Sequence, residues 1–511
     1  MSKAKPSTRP FAWLGRYWLP VAFSVLMLTA AFFRFHQLGS LPPGLDEASA
    51  RAGLDALNLK NMLPALDASN GYAPLWVWLQ AISIQIFGHT ALALRNWPAV
   101  LGTLAVAVTW FWLRDWFNRP IAWIGAFILA VSPWAVTISR SGLESSLFLI
   151  LVPLTLWLAY RAIRELSAGR ATALAGVIAA DLLSGPIGWI LAAAALTMII
   201  LRLIIIRPLP EFTKAHIAPA AILAVAIAFS GYVVGASWAA IKTLPQALGI
   251  ATAISDIGQN AMRVLLMFNV RGDENYRHNL AGEPMMNAFV GLMMIAGLLV
   301  AISRMHALRY RALLALTLLL MAPAFLATQG VPNSSWAVGA MPLLYGLAAI
   351  GTYYMLELWH ATFPINSAAR ATGKTAIMIL LGLTMLHGYT QYFGAWAASS
   401  AVHMAYNDGT VQIAESLRNT KFEGERLAVI APEQQPVVEY LNHGDKSFSV
   451  LKPSDLAGLP IASGSRQFYI GAGEREETVK ILKAKFPGGV LRPHYSDFNQ
   501  MEIYYTYETK K

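Results

Sequence analysis

Residues 171–184, ATALAGVIAADLLS, decide how often this chain crosses a bilayer. The stretch is apolar but short, and it carries an acid, Asp181. A transmembrane helix needs roughly 20 mainly apolar residues. Runs that meet this need lie near 18–35, 94–113, 121–138, 145–163, 186–206, 217–238, 285–303, 310–327, 337–358 and 372–391. With 171–184 counted among them and the N-terminus in the cytoplasm, the cationic connections all fall on the inner side. They are Arg114 and Arg119; Arg161, Arg164 and Arg170; Arg207 and Lys214; Arg304, Arg309 and Arg311; and Arg370 and Lys374. Positive charge is retained on the cytoplasmic side of spans, and without 171–184 every later basic loop would flip outward. The run 73–87, APLWVWLQAISIQIF, is too short to span and reads as a helix lying at the outer interface.

The expected architecture is therefore an all-α polytopic membrane domain of about 11 transmembrane helices, with N-terminus inside and C-terminus outside. Juxtamembrane helices lie in the first outer loop. The composition agrees: of 511 residues, 56% are hydrophobic and 13% charged, where a soluble domain carries roughly a quarter as charges. There is no cysteine, which excludes disulfides, thiolate metal sites and cysteine nucleophiles. Lys and Arg number 39 against 28 Asp and Glu, a net charge of +11, and four of the cations (Lys3, Lys5, Arg9, Arg16) precede the first span. Residues 1–17 read as a basic cytoplasmic tail resting on anionic lipid, and the first run as a retained signal anchor.

Residues 18–395 form the membrane domain, with outer loops at 36–93 and 239–284. Residues 405–511 have the composition of a soluble module. Strand-like runs at Arg426–Ala431, Gln467–Ile470 and Met501–Tyr507 alternate with helical stretches at Pro436–Asn442 and Glu474–Phe486, which predicts a small extracytoplasmic α/β domain. No internal repeat is evident.

Three polar clusters on the outer side could carry chemistry. In Pro42-Pro43-Gly44-Leu45-Asp46-Glu47 the turn ends an extended segment and Ala48–Lys60 reads as a helix. Two carboxylates thus stand at a helix start, where the amides favour an anion. Asp46 either caps the helix or serves as a general base toward a hydroxyl. In Ser139-Arg140-Ser141-Gly142-Leu143-Glu144, either Arg140 and Glu144 pair at a helix end, or Arg140 faces a phosphate with Glu144 orienting it. The run Arg271-Gly272-Asp273-Glu274-Asn275-Tyr276-Arg277-His278-Asn279 places two arginines and a histidine on the side where cations are unexpected, so a bound anion is a reasonable partner. Asp181 is costly at its depth unless it faces a polar cavity. Arg202 can snorkel, and Thr372–Thr375 lacks the glycine and strand of a phosphate loop. Histidines show no metal-ligand spacing.

The order of these pieces resembles the C-class membrane glycosyltransferases, in particular the protein O-mannosyltransferase-like branch and its bacterial relative, the lipid A aminoarabinose transferases. Asp46 and Glu47 match the acidic pair of the first outer loop; Gly71, Tyr72 and Pro74 match the approach to the interfacial helix; Phe87, Gly88 and Arg95 match a further signature. Ser132–Trp134, Ser139–Glu144 and GDENYRHN at 272–279 with Gly282 and Pro284 complete the series, which covers roughly the first 345 residues. The chain departs from it at Leu183-Ser184-Gly185, where a lysine is absent, and at Trp336, where an arginine is common.

The resemblance implies a polyprenyl phosphate monosaccharide as donor and an acceptor hydroxyl on protein, lipid or cell-envelope glycan, with inversion at the sugar. It implies a multi-pass protein of a bacterial inner membrane, in contact with membrane lipid and not with nucleic acid. On this reading Asp46 is the base, with Glu47; Arg140, Arg271, Arg277 and His278 meet the donor phosphate; and Tyr72, Glu144, Asp181, Asp273 and Asn279 contact substrate. No cofactor is required, although Asp46 with Asp273 or Glu274 could hold a divalent ion. The alternatives are a multispan transporter, which would place charge at the midplane on related halves, and a catalytically silent envelope scaffold.

Overall fold

The computed structural model describes residues 12–59, 73–165, 167–205, 214–236, 254–327, 330–420, 422–461, 464–496 and 500–509. Over its described residues each apolar run of the sequence is mainly helical. Among the described residues six helical segments are long and apolar enough to cross a membrane: Trp18–Phe35, Ala91–Trp116, Glu144–Arg164, Leu308–Leu326, Val338–Thr362 and Ser367–Trp396. Shorter apolar helices, Pro74–Phe87, Arg119–Val131, Pro186–Ile200 and Ala288–Ser303, pack among or beside them. The short run at 171–184 lies in the helix Ala168–Leu182.

The run at 121–138 is not one helix but two, Arg119–Val131 and Pro133–Ile138, which meet at Ser132 in extended conformation. Pro133 is the cause, because its ring excludes the helical region for the residue before it. The helix expected over Ala48–Lys60 covers Glu47–Leu57, with Asp46 as its cap.

Packing in the bundle depends on small residues. Helices Ala288–Ser303 and Met341–Thr362 approach closely at Gly297 and Gly351, where a Cβ would collide with the carbonyls of Leu347 and Met293. In lipid, such backbone contact replaces the hydrophobic drive that assembles helices in water. Trp112, Trp134 and Tyr345 fill the interior beside them.

The C-terminal module contains a five-stranded mixed sheet of β1 (Glu425–Val429), β2 (Phe448–Leu451), β3 (Arg466–Gly471), β4 (Val490–Tyr495) and β5 (Glu502–Glu508). The order is β2-β1-β3-β5-β4. β1 runs parallel to both β2 and β3, while β5 is antiparallel to β3 and β4. The sequence pattern showed β1, β3 and β5 and missed β2 and β4. The missed strands are the two edges, partly exposed along their length, and β4 contains a proline, so neither shows the alternation of a half-buried strand.

The module is not a detached cap. Leu45, Ala50, Val77 and Leu94 of the membrane part share one apolar core with Ile413, Val438, Tyr440 and Tyr469.

Candidate active site

The loop that follows the first helix is held by two buried arginines. Arg140, fully buried, donates to the carbonyls of Phe33 at 3.1 Å, Arg34 at 2.9 Å, His36 at 2.7 Å and Leu41 at 3.1 Å, and its Nε donates to the Tyr392 hydroxyl at 3.0 Å. Arg95 donates to the carbonyls of Leu38, Gly39 and Gly44. An arginine presents its donors as a rigid fork, so these bonds fix the path of the backbone as far as Gly44. This geometry does not offer Arg140 to a phosphate, and among the described residues it makes no pair with Glu144. Glu144 instead accepts from the amide of Ala73 at 3.1 Å.

The fixed loop delivers Asp46 to the start of the helix Glu47–Leu57. Its Oδ2 accepts from the amides of Ala48 at 3.0 Å and Ser49 at 3.2 Å, a standard helix cap. Its Oδ1 lies 3.0 Å from Nη1 of Arg277, whose Nη2 lies 2.5 Å from Oε2 of Glu47. One carboxylate thus caps the helix through one oxygen and pairs with Arg277 through the other. Burial pushes the Asp46 carboxyl above its ordinary range, and Glu47 adds to this; Arg277, the Ser49 amide and His278 oppose it.

Arg277 is itself positioned from the far end of the chain. Its Nε donates to the Ala405 carbonyl at 2.9 Å, and its own carbonyl accepts from the Tyr406 hydroxyl at 2.8 Å. The Leu45 amide donates to the Tyr406 carbonyl at 2.5 Å, and Asn407 Nδ2 donates to the Leu45 carbonyl at 3.2 Å. Residues 405–407 therefore grip both the acid and its cation. Nothing in the local sequence marks them, because their role comes from contacts with residues far away in the chain.

The remaining polar residues of the 271–279 run divide into two roles. Asp273 is nearly buried and ties the loop: its Oδ1 accepts from the Asn275 amide at 2.8 Å, and its Oδ2 accepts from the Ser334 amide at 2.7 Å and hydroxyl at 2.8 Å and lies 3.1 Å from His278 Nδ1. Burial raises its carboxyl, but the hydrogen bond and charge of His278, with the Ser334 and Asn275 amides, outweigh it and hold the group below its usual value. Asn279 Nδ2 donates to the carbonyls of Asp273 at 3.2 Å and Glu283 at 2.6 Å, which makes it part of the same tie. Arg271 is exposed and pairs with Glu274 at 2.5 Å.

A cavity of about 310 Å³ opens beside this arrangement, lined among others by Ser49, Trp76, Glu144, Ser184, His278 and Trp336. His278 keeps Nε2 for it, since Nδ1 is engaged by Asp273. The two positions at which the sequence departs from the family signatures, Ser184 and Trp336, both line this cavity. An adjoining cavity of about 530 Å³ lies behind the Asp273 loop and is lined by Arg263, Arg271, Asp273 and Asn333.

Asp181 stands apart from both cavities. It is fully buried in the helix Ala168–Leu182 with Oδ2 accepting from Thr155 at 2.8 Å. Tyr72 lies outside the described residues, as do residues 1–11 of the basic tail and residues 239–253 of the second expected outer loop. Among the described residues no group of three or more His, Cys, Asp or Glu side chains is placed to hold a metal ion.

Comparison with known proteins bears on the fold. Residues 72–238, roughly a third of the chain, match the family described as dolichyl-phosphate-mannose-protein mannosyltransferase. The structure of ArnT from Cupriavidus metallidurans bound to undecaprenyl phosphate is similar with a TM-score of 0.56 at 12% identity, over 97% of this chain and 98% of that one. The apo state of the same protein matches with a TM-score of 0.51 at 13% identity, again over 97% and 98%. No curated protein matches. The chain is a multi-pass membrane protein with the fold seen in the ArnT structures, and its residues 72–238 resemble the dolichyl-phosphate-mannose-protein mannosyltransferases.

Proposed function

We propose that the chain is a membrane glycosyltransferase that moves a sugar from a polyprenyl phosphate monosaccharide to an acceptor hydroxyl on the extracytoplasmic face, with inversion. The observation that carries this reading is the buried carboxylate of Asp46, held by Arg277 at a helix start beside a cavity into which Ser49, Glu144 and His278 bring polar groups. The ArnT structure contains undecaprenyl phosphate in a fold of the same kind, which supports a lipid phosphate carrier here.

In the proposed reaction the acceptor oxygen bonds to the sugar C1 as the bond from C1 to the phosphate oxygen breaks. The hydroxyl proton passes to Asp46, and the leaving polyprenyl phosphate keeps the electron pair. Burial supports the first part, because a carboxylate raised above its ordinary range is a stronger base. Arg271 and Arg263, from the adjoining cavity, supply preorganised positive charge for the departing phosphate, and His278 offers a hydrogen bond from the cavity wall. Arg277 holds the acid pair in place, and Glu47 shares its fork. Glu144 and Trp336 face the space left for the sugar. No divalent ion is needed for this sequence, and turnover is expected to persist after chelator treatment.

The test is release of free polyprenyl phosphate from a panel of polyprenyl phosphate sugars by purified protein, beside Asp46→Asn. Loss of a positioned base costs about 10²- to 10⁴-fold, so release should nearly vanish in the variant. Equal release by both proteins would remove Asp46 as the base. Substrate-coupled flux in vesicles with no release would favour a transporter.

A further inference from the structure

A second cavity, of about 270 Å³, lies in the C-terminal module away from the site just described. Its place follows from the sheet. β1 is flanked by β2 on one side and β3 on the other, both parallel to it, so the chain leaves the carboxyl ends of β1 and β3 in opposite directions. Open sheets of this kind bind ligands in the crevice at such a reversal. The cavity is lined there by Gln434, which follows β1, and by Gly471–Glu474, which follow β3; the start of the helix Asp408–Asn419 forms the opposite wall.

The polar groups around it define what could bind. Thr410 is 4% exposed, and its hydroxyl has no partner among the described residues and opens on the cavity. Glu474 makes no ion pair among the described residues. Asp408 is held by His403 at 2.7 Å and by Gln412 at 3.1 Å. Gln434 donates to Asn407 at 3.1 Å, leaving its carbonyl available. Among the described residues no lysine or arginine lines the cavity, whereas Asp408, Glu474 and Glu502 do, the last paired with Arg475 at 3.2 Å beyond the lining. An anion is therefore disfavoured, while a neutral group rich in hydroxyls could donate to the carboxylates and accept from Thr410. The volume sits at the small end for ligand pockets, roughly 300–1,000 Å³, and suits one sugar ring.

The same wall touches the candidate active site. Asn407, beside Asp408, donates to the carbonyl of Leu45, the residue before Asp46. We infer that this crevice is a glycan subsite which holds a sugar residue of the acceptor and thereby selects it. The acceptor role rests on the glycosyltransferase reading above; the binding of a glycan does not.

The experiment uses the full chain in nanodiscs, with methyl α-mannopyranoside, methyl β-glucopyranoside and methyl β-galactopyranoside as probes in saturation-transfer NMR. Gly473→Trp fills the crevice, and a side chain at Gly473 would begin in open space, so the fold tolerates it. Thr410→Val removes the hydroxyl at nearly constant shape. At least one glycoside should give a signal that disappears in Gly473→Trp and weakens about fivefold in Thr410→Val, the size of one lost hydrogen bond. Acceptor KM should rise in both variants with donor KM unchanged. The glycan subsite is overturned if no glycoside binds, or if binding is equal in all three proteins. Glycoside binding at the crevice in a protein that turns over no donor would overturn the acceptor role and the transferase reading together, and leave the glycan subsite standing.

Discussion

Nη1 of Arg277 lies 3.0 Å from Oδ1 of Asp46, and this cation is the main influence opposing the rise that burial imposes on the acid. A base acts only when unprotonated, so turnover should climb as pH rises through the elevated Asp46 value. Arg277→Gln removes the opposing charge and raises that value further. The acid limb of the kcat/KM profile should therefore move to higher pH in the variant. A limb that stays in place would separate the pH dependence from Asp46.

Arg140 serves the loop rather than a ligand. Arg140→Lys keeps the charge but cannot reach four carbonyls and a hydroxyl together. Leaving buried carbonyls unpaired costs about 1–3 kcal/mol each, so the melting temperature in detergent should fall sharply. A variant that melted like the wild type but lost affinity for the donor would instead make Arg140 a phosphate ligand.

Gly44 has a φ of +72°, and a Cβ there would collide with the carbonyl oxygen of Tyr406. Gly44→Ala should push residues 405–407 away from Leu45 and release Arg277 from its grip. Turnover should collapse, and limited proteolysis should cut faster between residues 396 and 425. Unchanged cleavage with full activity would show that the grip is dispensable.

Asp273 accepts from four donors and its carboxyl is held below its usual value. A depressed group contributes stability that is present above its unfolded value, roughly 3.9, and is lost as pH falls through the folded one. Asp273→Asn should thus melt at a lower temperature at neutral pH, and the gap from the wild type should shrink as the pH is lowered below about 4. A constant gap across that range would assign the loss to shape rather than charge.

Legibility in the sequence followed the range of the interaction. The apolar runs were readable because a bilayer demands length and composition, which are local properties. Asp46 was readable as a helix cap, which the structure shows, while its role as base belongs to the proposal. Arg140 misled because its surroundings in sequence look interfacial, while its partners lie in the loop after the first helix. Edge strands β2 and β4 were invisible since a strand open to solvent has little reason to alternate. The glycine-to-glycine contact of Gly297 with the Met341–Thr362 helix left no readable signal, for it depends on which helices become neighbours.

By itself, the sequence determined the helical membrane domain, the small α/β module after it and the acidic pair at a helix start. Each of these is enforced within one turn or one segment. Only the tertiary structure decided that Arg277 meets Asp46, that Arg95 and Arg140 bind backbone, and that Tyr406 and Asn407 hold the loop that carries Asp46. A guanidinium takes whichever oxygens the packed fold brings to its fork, and that choice is made by segments hundreds of residues apart.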